Sequence, residues 1–324
     1  MGCGRIARKF AADLALVKDA ELVAVASRDK EKAKEFANQF TAKHIHGSYE
    51  ELAMDKEVDV IYIATPHSLH YENALLCIGH GKAVLCEKPF AINSRQAKEM
   101  IEKARAKGVF LMEALWTKFL PHYTTAQAIV KDNKLGEIKS VIANFGFRLN
   151  DEAPKRLTDP SLGGGTLLDI GIYNVFMALS FLGKPDKIEA RVVSSIPNVD
   201  EQCSILFTYK NGAMAQLFST FLSNTSTEVE IHGTEARLKL GSRFYEPSSV
   251  LELRQNVKDK GEVIKVKKEK GIGYQHEARH VNECLKKGLT ESPVVTHADT
   301  LLLMETLDEI RRIAGISYAA DGIS

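Results

Sequence analysis

Between residues 21 and 115, short apolar runs alternate with helical patterns, and this alternation constrains the fold more than any other feature of the sequence. The runs are continuous and rich in β-branched residues, as in strands that are buried on both faces. Such alternation predicts an α/β domain with a doubly wound parallel sheet, right-handed crossovers and helices on both faces. The predicted strands are ELVAVAS (21–27), VDVIYIAT (58–65), AVLCE (83–87) and VFLME (109–113).

After about residue 117 the pattern changes to longer segments with alternating polar and apolar residues. Hairpin signals join these segments, and Asn211-Gly212 is the strongest. This half therefore reads as an α+β domain with an open, mostly antiparallel sheet. A chain of 324 residues suits two domains, which we place at 1–117 and 118–324. Helical patterns in the second half lie at 121–133, 165–182, 273–287 and 298–313.

The composition excludes several classes of function. Apolar residues make up 44% and charged residues 26%, as in ordinary soluble domains, and a net charge of +1 gives nucleic acid little to bind. The five cysteines show no C-x-x-C spacing, so neither a disulfide framework nor a zinc site is indicated. No apolar run has the length of a signal peptide or a membrane span. We expect a cytoplasmic protein that binds small molecules, without metal, membrane or nucleic acid.

The chain opens with a glycine motif that is typical of dinucleotide sites. Residues 2–7, GCGRIA, match G-x-G-x-x-[GA], in which the glycines allow a tight turn and close backbone approach to a pyrophosphate at a helix N-terminus. A helical pattern follows, and a strand ends about 25 residues later, where the ribose is usually bound. A flexible glycine-rich terminus is the alternative. The predicted cofactor contacts are Gly2, Gly4, Arg5 and Ile6.

The first strand of the predicted sheet is missing from the sequence. In a doubly wound sheet the strand before the glycine turn is central. Loss of five or six buried apolar residues removes on the order of 10 kcal/mol, which is comparable with the stability of a whole domain. We therefore expect the natural chain to carry about seven further residues that form this strand.

The end of the second strand indicates which dinucleotide is bound. A carboxylate at this place usually holds the ribose 2′-hydroxyl of NAD, whereas a cation accommodates the 2′-phosphate of NADP. Ser27 and Arg28 occupy it here, and an arginine can bind a phosphate through two hydrogen bonds. Asp29 follows, and it either holds a ribose hydroxyl or begins the next helix. Arg28 favours NADP, and NAD stays possible.

Two further strands end in polar residues at the edge where open α/β sheets bind ligands. Lys88 follows a buried run and precedes a rigid proline, so we expect its amine to face the nicotinamide and the substrate hydroxyl; a surface lysine is the alternative. We expect His70 to donate a hydrogen bond to substrate, with an ordinary histidine at a helix start as the alternative. No third ligand accompanies His67 and His70, so no metal is predicted. The predicted cofactor contacts here are Thr65, Pro66, His70, Glu87 and Lys88.

A second glycine-rich segment, GGGTLLDIGIYNV (163–175), carries the other predicted catalytic residues. If its latter part is helical, Asp169 and Tyr173 are spaced i, i+4 and share one face. A carboxylate beside a phenol can act as an acid/base pair, because a nearby lysine favours the phenolate while the carboxylate orients it. A tyrosine buried in the core is the alternative for Tyr173.

The joint occurrence of GxGxxA, EKP (87–89) and GGGxLxDxGxY resembles the glucose-fructose oxidoreductase and inositol dehydrogenase (Gfo/Idh/MocA) superfamily. LMEALWTKFLP (111–121) and the tyrosine at 173 resemble its branch of dimeric dihydrodiol and NADP-dependent D-xylose dehydrogenases. The resemblance implies a Rossmann domain and a second domain whose open sheet forms a dimer face. It also implies catalysis by Lys88 and Tyr173 with Asp169 in support, a substrate contact from His70, an aromatic pocket wall at Trp116 and a 2′-phosphate contact at Arg28.

These observations lead to one functional prediction and two alternatives. We expect an NADP-dependent oxidoreductase that transfers hydride between nicotinamide and a hydroxyl-bearing carbon of a sugar, polyol or cyclic trans-diol, in a homodimer or higher homo-oligomer. A non-catalytic NADP sensor of the same fold is the first alternative. The second is an enzyme that keeps its NADP bound and cycles it between two sugars.

Overall fold

A computed structural model describes residues 1–247, 250–255 and 260–322, in which the chain forms two compact units. The first unit comprises Met1–Phe119 and Glu269–Leu301, and the second comprises Leu120–Lys268 and Leu302–Ser324. The division after residue 119 lies next to the boundary expected at 117. The return of residues 269–301 to the first unit was not expected, because the helical pattern at 273–287 was assigned to the second domain.

The described residues contain nine α-helices and thirteen strands. The helices are α1 (Arg5–Leu14), α2 (Lys30–Phe40), α3 (Tyr49–Met54), α4 (His70–Gly79), α5 (Ser94–Lys107), α6 (Pro121–Lys131), α7 (Ile172–Leu182), α8 (Tyr274–Lys286) and α9 (His297–Ala314). The strands are β1 (Ala24–Ala26), β2 (His44–His46), β3 (Val60–Ile63), β4 (Ala83–Glu87), β5 (Leu111–Ala114), β6 (Ile138–Gly146), β7 (Lys187–Val193), β8 (Gln202–Thr208), β9 (Met214–Thr220), β10 (Val229–Gly233), β11 (Arg237–Leu240), β12 (Leu251–Arg254) and β13 (Glu262–Ile264).

The first unit has parallel strands, as predicted, in two separate sheets. One sheet pairs β1 with β2, and the other has the order β3-β4-β5. The four predicted strands are confirmed, whereas β2 was not expected, since its sequence HIH carries little strand signal. Asn93 caps α5 by accepting a hydrogen bond from the amide of Gln96, and Gly108 ends that helix at φ +63°. These local signals place each helix between consecutive strands.

The second unit is built on one eight-stranded sheet. Its order is β13-β12-β11-β10-β6-β9-β8-β7, and every pairing is antiparallel except that of β6 with β9. The hairpin predicted at Asn211-Gly212 joins β8 to β9, with Gly212 at φ +81°. Buried residues alternate along β8 and β9, and α7 packs on the buried face. The predicted α/β plus α+β fold is confirmed.

One segment of the second unit is apolar enough to resemble a membrane span. Among the described residues, Pro160–Leu182 has the length and composition to cross a bilayer, and 83% of its most apolar window is buried inside the protein. Polar residues such as Asp169 and Asn174 interrupt this segment, so it contains no uninterrupted apolar run of that length. A helix that is apolar on all sides and buried is the central helix of a core.

Candidate functional site

The glycine motif forms a tight turn that leads into α1. Gly2 has φ +85°, and a Cβ added there would lie 2.9 Å from the carbonyl oxygen of Ala64. Gly4 precedes α1 in extended conformation, is exposed, and caps the helix with no side-chain hydrogen bond. A Cβ added at Gly4 would meet nothing within 4 Å. The first-turn amides of α1, which include those of the exposed Arg5 and the partly exposed Ile6, are thus available to an anion such as a pyrophosphate.

The residues after β1 distinguish the two roles considered for Asp29. The Asp29 side chain caps α2, accepting hydrogen bonds from the amides of Glu31 at 3.1 Å and Lys32 at 3.2 Å. The amide of Asp29 in turn donates to the hydroxyl of Ser27 at 3.2 Å. Arg28 is exposed beside Tyr49; burial raises the pKa of that phenol, and the charge of Arg28 partly opposes the rise. Asp29 therefore begins a helix, and Arg28 presents the charge at this strand end.

Glu87 and Lys88 lie where β4 ends. Glu87 is the last residue of β4 and is buried, and its carboxylate accepts a hydrogen bond from the Tyr62 hydroxyl. The other carboxylate oxygen accepts from the backbone amide of Lys88 at 3.2 Å. The Lys88 side chain is partly exposed. Glu87 is thus held by two donors, one of them the backbone of Lys88, which fixes the point from which the lysine side chain departs.

His70 contacts the backbone that follows β3 and β4. It is fully buried at the start of α4, and its ring nitrogens face two backbone carbonyls: that of Pro89 lies 2.8 Å from Nδ1, and that of Thr65 lies 2.9 Å from Nε2. Burial lowers the pKa of His70, and the nearby Lys88 lowers it further. Asn73 donates to the Thr65 hydroxyl at 3.0 Å. This geometry favours a positioning role for His70 over the predicted hydrogen bond to substrate, which stays a prediction.

Four aromatic rings in contact with one another lie in the first unit, and the last of them reaches Glu87. Trp116 stacks on Tyr274 with ring centroids 4.4 Å apart, and Tyr274 meets Phe10 edge-on at 6.2 Å. Phe10 stacks on Tyr62 at 3.8 Å, and Tyr62 donates to Glu87. Trp116 is 6% exposed, so it lies within this stack rather than on an open surface. Tyr62 and Tyr274 were not predicted from the sequence as part of the site.

Glu277 is a buried carboxyl group beside this stack. It is completely buried, and neither of its oxygens has a hydrogen-bond partner among the described residues. Burial raises the pKa of Glu277 well above its ordinary value, and the neighbouring Glu87 raises it further. The helical spacing of Tyr274, Ala278 and Val281 places Glu277 on the buried face of α8. That spacing is visible in the sequence and could have identified it.

In the second unit, Asp169 lies in a π-helical turn that precedes α7. The turn spans Leu167–Gly171, and Asp169 accepts a hydrogen bond from Arg156 at 2.9 Å. Tyr173 follows in the first turn of α7, is 6% exposed and packs against Tyr245 with ring centroids 5.3 Å apart. The sequence predicted a regular helix here, and no signal indicated the π turn or Arg156. Turns of this kind often occur at functional sites.

Asp200 anchors the start of that turn. It is fully buried, and its carboxylate accepts hydrogen bonds from the Thr166 hydroxyl at 2.6 Å and the Leu167 amide at 2.7 Å. Burial raises the pKa of Asp200 to about 6, although these bonds oppose the rise. Gly165 has φ +124°, and a Cβ there would lie 2.2 Å from a carboxylate oxygen of Asp200. The glycines therefore allow the backbone to approach Asp200, and Asp200 was missed because it is remote in sequence.

The structure thus gathers the predicted residues into two groups. Thr65, His70, Glu87 and Lys88 meet in the first unit, and Asp169 lies one helical turn before Tyr173 in the second. Lys88 and Tyr173 belong to different units, so their predicted meeting stays a prediction.

A cluster with metal-ligand chemistry lies apart from these groups. His44 Nδ1 and His46 Nε2 approach one carboxylate oxygen of Asp55 at 2.6 and 2.9 Å. Their side chains are partly exposed, and Asp55 ends α3. This cluster was not predicted from the sequence.

Known proteins resemble the chain over nearly its full length. The family model described as "Oxidoreductase family, NAD-binding Rossmann fold" (GFO_IDH_MocA) matches residues 1–115, and the corresponding C-terminal domain model matches residues 123–239. The trans-1,2-dihydrobenzene-1,2-diol dehydrogenase of Sus scrofa is 37% identical over 99% of this chain and 97% of its own. That of Mus musculus is 38% identical with the same coverage.

Among solved structures, a 3-ketoreductase from Actinomadura kijaniata in complex with NADP and TDP-benzene superimposes with a TM-score of 0.84. It is 27% identical, and the match covers 97% of this chain and 96% of the other. An aldose-aldose oxidoreductase from Caulobacter crescentus superimposes with a TM-score of 0.88 at 24% identity, with the same coverage. The second similarity concerns the fold.

Proposed function

The chain belongs to the Gfo/Idh/MocA oxidoreductase family, and from that premise we propose that Lys88 and Tyr173 act together on the hydroxyl-bearing carbon of its substrate. Proteins to which the chain is similar include trans-1,2-dihydrobenzene-1,2-diol dehydrogenases and a 3-ketoreductase. The chain is accordingly an oxidoreductase acting on CH–OH groups of a sugar, polyol or cyclic diol. This supports the enzyme over the alternative of a non-catalytic sensor.

The residues at the end of β4 carry the proposal. A lysine whose backbone amide is bonded to a buried carboxylate leaves the sheet edge at a fixed point, which is what a catalytic amine requires. In the oxidation direction, Tyr173 takes the proton of the substrate hydroxyl, and the charge of Lys88 favours the phenolate that does so. Asp169, held by Arg156, orients Tyr173. A bound nicotinamide dinucleotide supplies or accepts the hydride.

The residues that would hold the dinucleotide surround the same edge. The amides at the start of α1 suit the pyrophosphate, and Gly2 and Gly4 permit its approach. Thr65, Pro66 and Glu87 line the strand ends, where His70 positions the turn at Pro89. We assign Trp116, stacked on Tyr274, to the substrate side of the pocket, as the family resemblance implies.

We further propose that the dinucleotide is NADP. Asp29 is engaged as the cap of α2, whereas the exposed Arg28 offers a cation for a 2′-phosphate. Arg28→Ala should weaken NADPH binding on the order of tenfold to a hundredfold and leave NADH binding unchanged. Asp29→Asn, which keeps a capping side chain, should leave both affinities as they are. Fluorescence titration with each dinucleotide measures this, and loss of NADH binding in Asp29→Asn would contradict it.

The catalytic pair is tested by substitution with matched controls. Tyr173→Phe and Lys88→Ala should each lower the turnover number by about 10²- to 10⁴-fold while NADPH affinity changes little. Two controls lie at other positions. Tyr209→Phe removes a hydroxyl that donates to the carbonyl of Gly183 at 3.2 Å, and Lys98→Ala removes an exposed lysine of α5. Both variants should retain full turnover. Absorbance at 340 nm with a panel of sugars, polyols and trans-diols gives the rates. Normal turnover by Tyr173→Phe would refute its role.

The same assay examines the alternative in which the dinucleotide stays bound. An enzyme that cycles its NADP between two sugars interconverts them without a net change at 340 nm and without a response to added free NADP. A dehydrogenase that exchanges its cofactor with solution shows a net absorbance change at 340 nm and responds to added NADP. We expect this behaviour.

We propose that the chain forms a homodimer through the open face of the second unit's sheet. Ile142 and Met214 on that face are 41% and 39% exposed, and Leu206 and Phe218 beside them are partly exposed, whereas α7 covers the opposite face. Light scattering should give a dimer mass for the protein and a monomer mass for Ile142→Asp.

We also propose a cytoplasmic location, which the five free cysteines support and cell fractionation tests.

A further inference from the structure

The histidine cluster, which consists of His44, His46 and Asp55, lies at the surface of the first unit. His44 and His46 are two residues apart on β2, so their side chains project from the same face of the strand. The Asp55 side chain is 7% exposed, whereas those of His44 and His46 are 32% and 20% exposed. The main chain at Asp55 is held by the Lys82 ammonium, which donates to its carbonyl at 2.5 Å. The cluster is therefore anchored at Asp55 and accessible to solvent at its histidines.

The donor atoms of the histidine cluster have a spacing that suits a zinc ion. His44 Nδ1 lies 2.6 Å and His46 Nε2 lies 2.9 Å from the same oxygen of Asp55. One donor atom from each of the three residues lies within 4.8 Å of the other two. Zinc bonds of about 2.0 to 2.1 Å at tetrahedral angles separate two ligand atoms by about 3.3 Å. This separation lies within the range found in the cluster, so small side-chain rotations bring all three donors onto one ion.

Two glutamates lie behind the histidines. Glu57 Oε1 is 3.7 Å from His44 Nε2, and Glu51 Oε2 is 3.8 Å from His46 Nδ1. Each glutamate thus faces the ring nitrogen that points away from Asp55. The second carboxylate oxygen of Asp55 accepts a hydrogen bond from the amide of Glu57 at 3.0 Å. Histidines that bind a metal usually direct their other nitrogen to a carboxylate or carbonyl, and carboxylate ligands are themselves hydrogen-bonded, so this arrangement is that of a metal site.

The positions of the ring protons also favour an ion at the centre of the cluster. A neutral imidazole carries a single N–H, and each of the two rings lies between two carboxylates. A neutral ring therefore turns one lone pair toward a carboxylate. An ion bound at His44 Nδ1 and His46 Nε2 uses those lone pairs, and the N–H groups then point to Glu57 and Glu51. A divalent charge also offsets the three carboxylates around the rings.

We propose that the histidine cluster is a zinc site, with His44 Nδ1, His46 Nε2 and Asp55 as ligands and water in the remaining position. Two imidazoles and a carboxylate suit Zn²⁺, whereas Mg²⁺ and Ca²⁺ prefer oxygen ligands alone. The ion ties β2, a three-residue strand of a two-stranded sheet, to the end of α3, so its role is structural. The site departs from the expectation, drawn from the sequence, of a protein without metal. It goes beyond the proposed function, since no step of hydride transfer involves it.

A second group of possible zinc donors in the first unit supplies the control. His280 Nε2 on α8 lies 2.7 Å from the Ser292 hydroxyl and 3.4 Å from the Cys284 sulfur. A thiol and an imidazole can also bind zinc. His280→Gln is therefore the matched control for His46→Gln, because both variants replace one histidine with an uncharged polar side chain.

The test is a calorimetric titration of the full chain with Zn²⁺ after a chelator has been added and dialysed away. The parent and His280→Gln should bind one ion per chain with equal affinity. His46→Gln and Asp55→Asn should each weaken Zn²⁺ binding at least about 100-fold, and Glu57→Gln, which alters an outer carboxylate, about tenfold. At a free Zn²⁺ concentration about 100 times the dissociation constant, the thermal midpoint of the parent should rise by about 5 °C. The same concentration of Mg²⁺ should give no rise.

A measurement on the parent alone covers the case in which a substitution disturbs folding. Diethyl pyrocarbonate modifies accessible imidazoles, and mass spectrometry reports the rate at each histidine. Bound Zn²⁺ should slow modification of His44 and His46 at least about tenfold, while the exposed His80 keeps its rate. Absence of binding by the parent at about 100 µM Zn²⁺, or equal affinity in the parent and His46→Gln, would overturn the proposal. Loss of Zn²⁺ binding in His280→Gln alone would place the ion on α8 and would overturn it as well.

Discussion

Glu113 gives a prediction whose size can be worked out from its surroundings. It lies in β5, is 1% exposed, and accepts a hydrogen bond from the Thr300 hydroxyl at 2.9 Å through one oxygen. The other oxygen has no partner among the described residues. Burial raises the pKa of Glu113 to about 7, which the Thr300 hydroxyl, the Phe90 amide and Lys118 partly oppose. The charged form is thus disfavoured in the folded protein.

The sign of the effect on stability follows from proton binding. Between its ordinary pKa of 4.5 and the folded value of about 7, the carboxyl is protonated when folded and ionised when unfolded. Unfolding then releases a proton, so the free energy of unfolding falls as pH rises through this range and is constant above it. A shift from 4.5 to about 7 corresponds to about 3 kcal/mol at 1.36 kcal/mol per unit.

Glu113→Gln removes the ionisation and keeps the shape. At pH 4 both side chains are neutral, and the variant should be about 1 kcal/mol less stable, because the amide buries a donor without a partner. At pH 8.5 the variant avoids the ionisation cost of about 3 kcal/mol and should be about 2 kcal/mol more stable than the parent. The two stability curves should therefore cross between pH 5 and pH 6, as an order-of-magnitude placement.

Urea unfolding from pH 4 to 8.5 measures this difference. Trp116 is the single tryptophan of the chain and lies in the same unit as Glu113, so its fluorescence reports the relevant transition. Glu102→Gln, at an exposed position of α5, is the control and should follow the parent. Thr300→Val, which removes a donor to the carboxylate, should extend the fall in stability to higher pH. A stability difference between Glu113→Gln and the parent that does not vary with pH would refute the reasoning.

Two further predictions concern the turn at the start of the chain and the histidine cluster. Gly2→Ala should lower stability by about 2 kcal/mol, from the positive φ and the contact with Ala64, and should weaken NADPH binding. Gly4→Ala, with free space around its Cβ, should leave the thermal midpoint unchanged; equal midpoints for both variants would contradict this. Burial disfavours the charge of Asp55, but hydrogen bonds from two histidines outweigh it and lower its pKa, while the bond to Asp55 raises the pKa of His44. The loss of stability caused by Asp55→Asn should therefore be largest between about pH 4 and 6.5. It should become smaller as pH falls toward the lowered pKa of Asp55, and also as pH rises through the raised pKa of His44. A loss of thermal midpoint that does not vary with pH would contradict this prediction.

Local patterns sufficed for most of the fold. The run AVLCE is buried at every position of β4, so its continuous apolar character was an adequate signal. The Asn211-Gly212 pair and the cap at Asn93 are set by backbone conformation within a few residues, and the structure has both. The strand β2 was missed because only three residues pair, and its histidines are held by Asp55 rather than by apolar burial.

The candidate site was only partly predictable, because the residues that hold the predicted side chains in place come from distant parts of the chain. Lys88 could be proposed from its place after a buried strand, but the partners of Glu87 next to it include Tyr62, 25 residues away. At the start of the turn that carries Asp169, the Thr166 hydroxyl and the Leu167 amide donate to the buried carboxylate of Asp200, which lies more than 30 residues further along the chain. A pattern of local periodicity reports which face of a helix is buried, but not which remote group meets it there. For this reason candidate catalytic residues are easier to propose from the sequence than the residues that would position them.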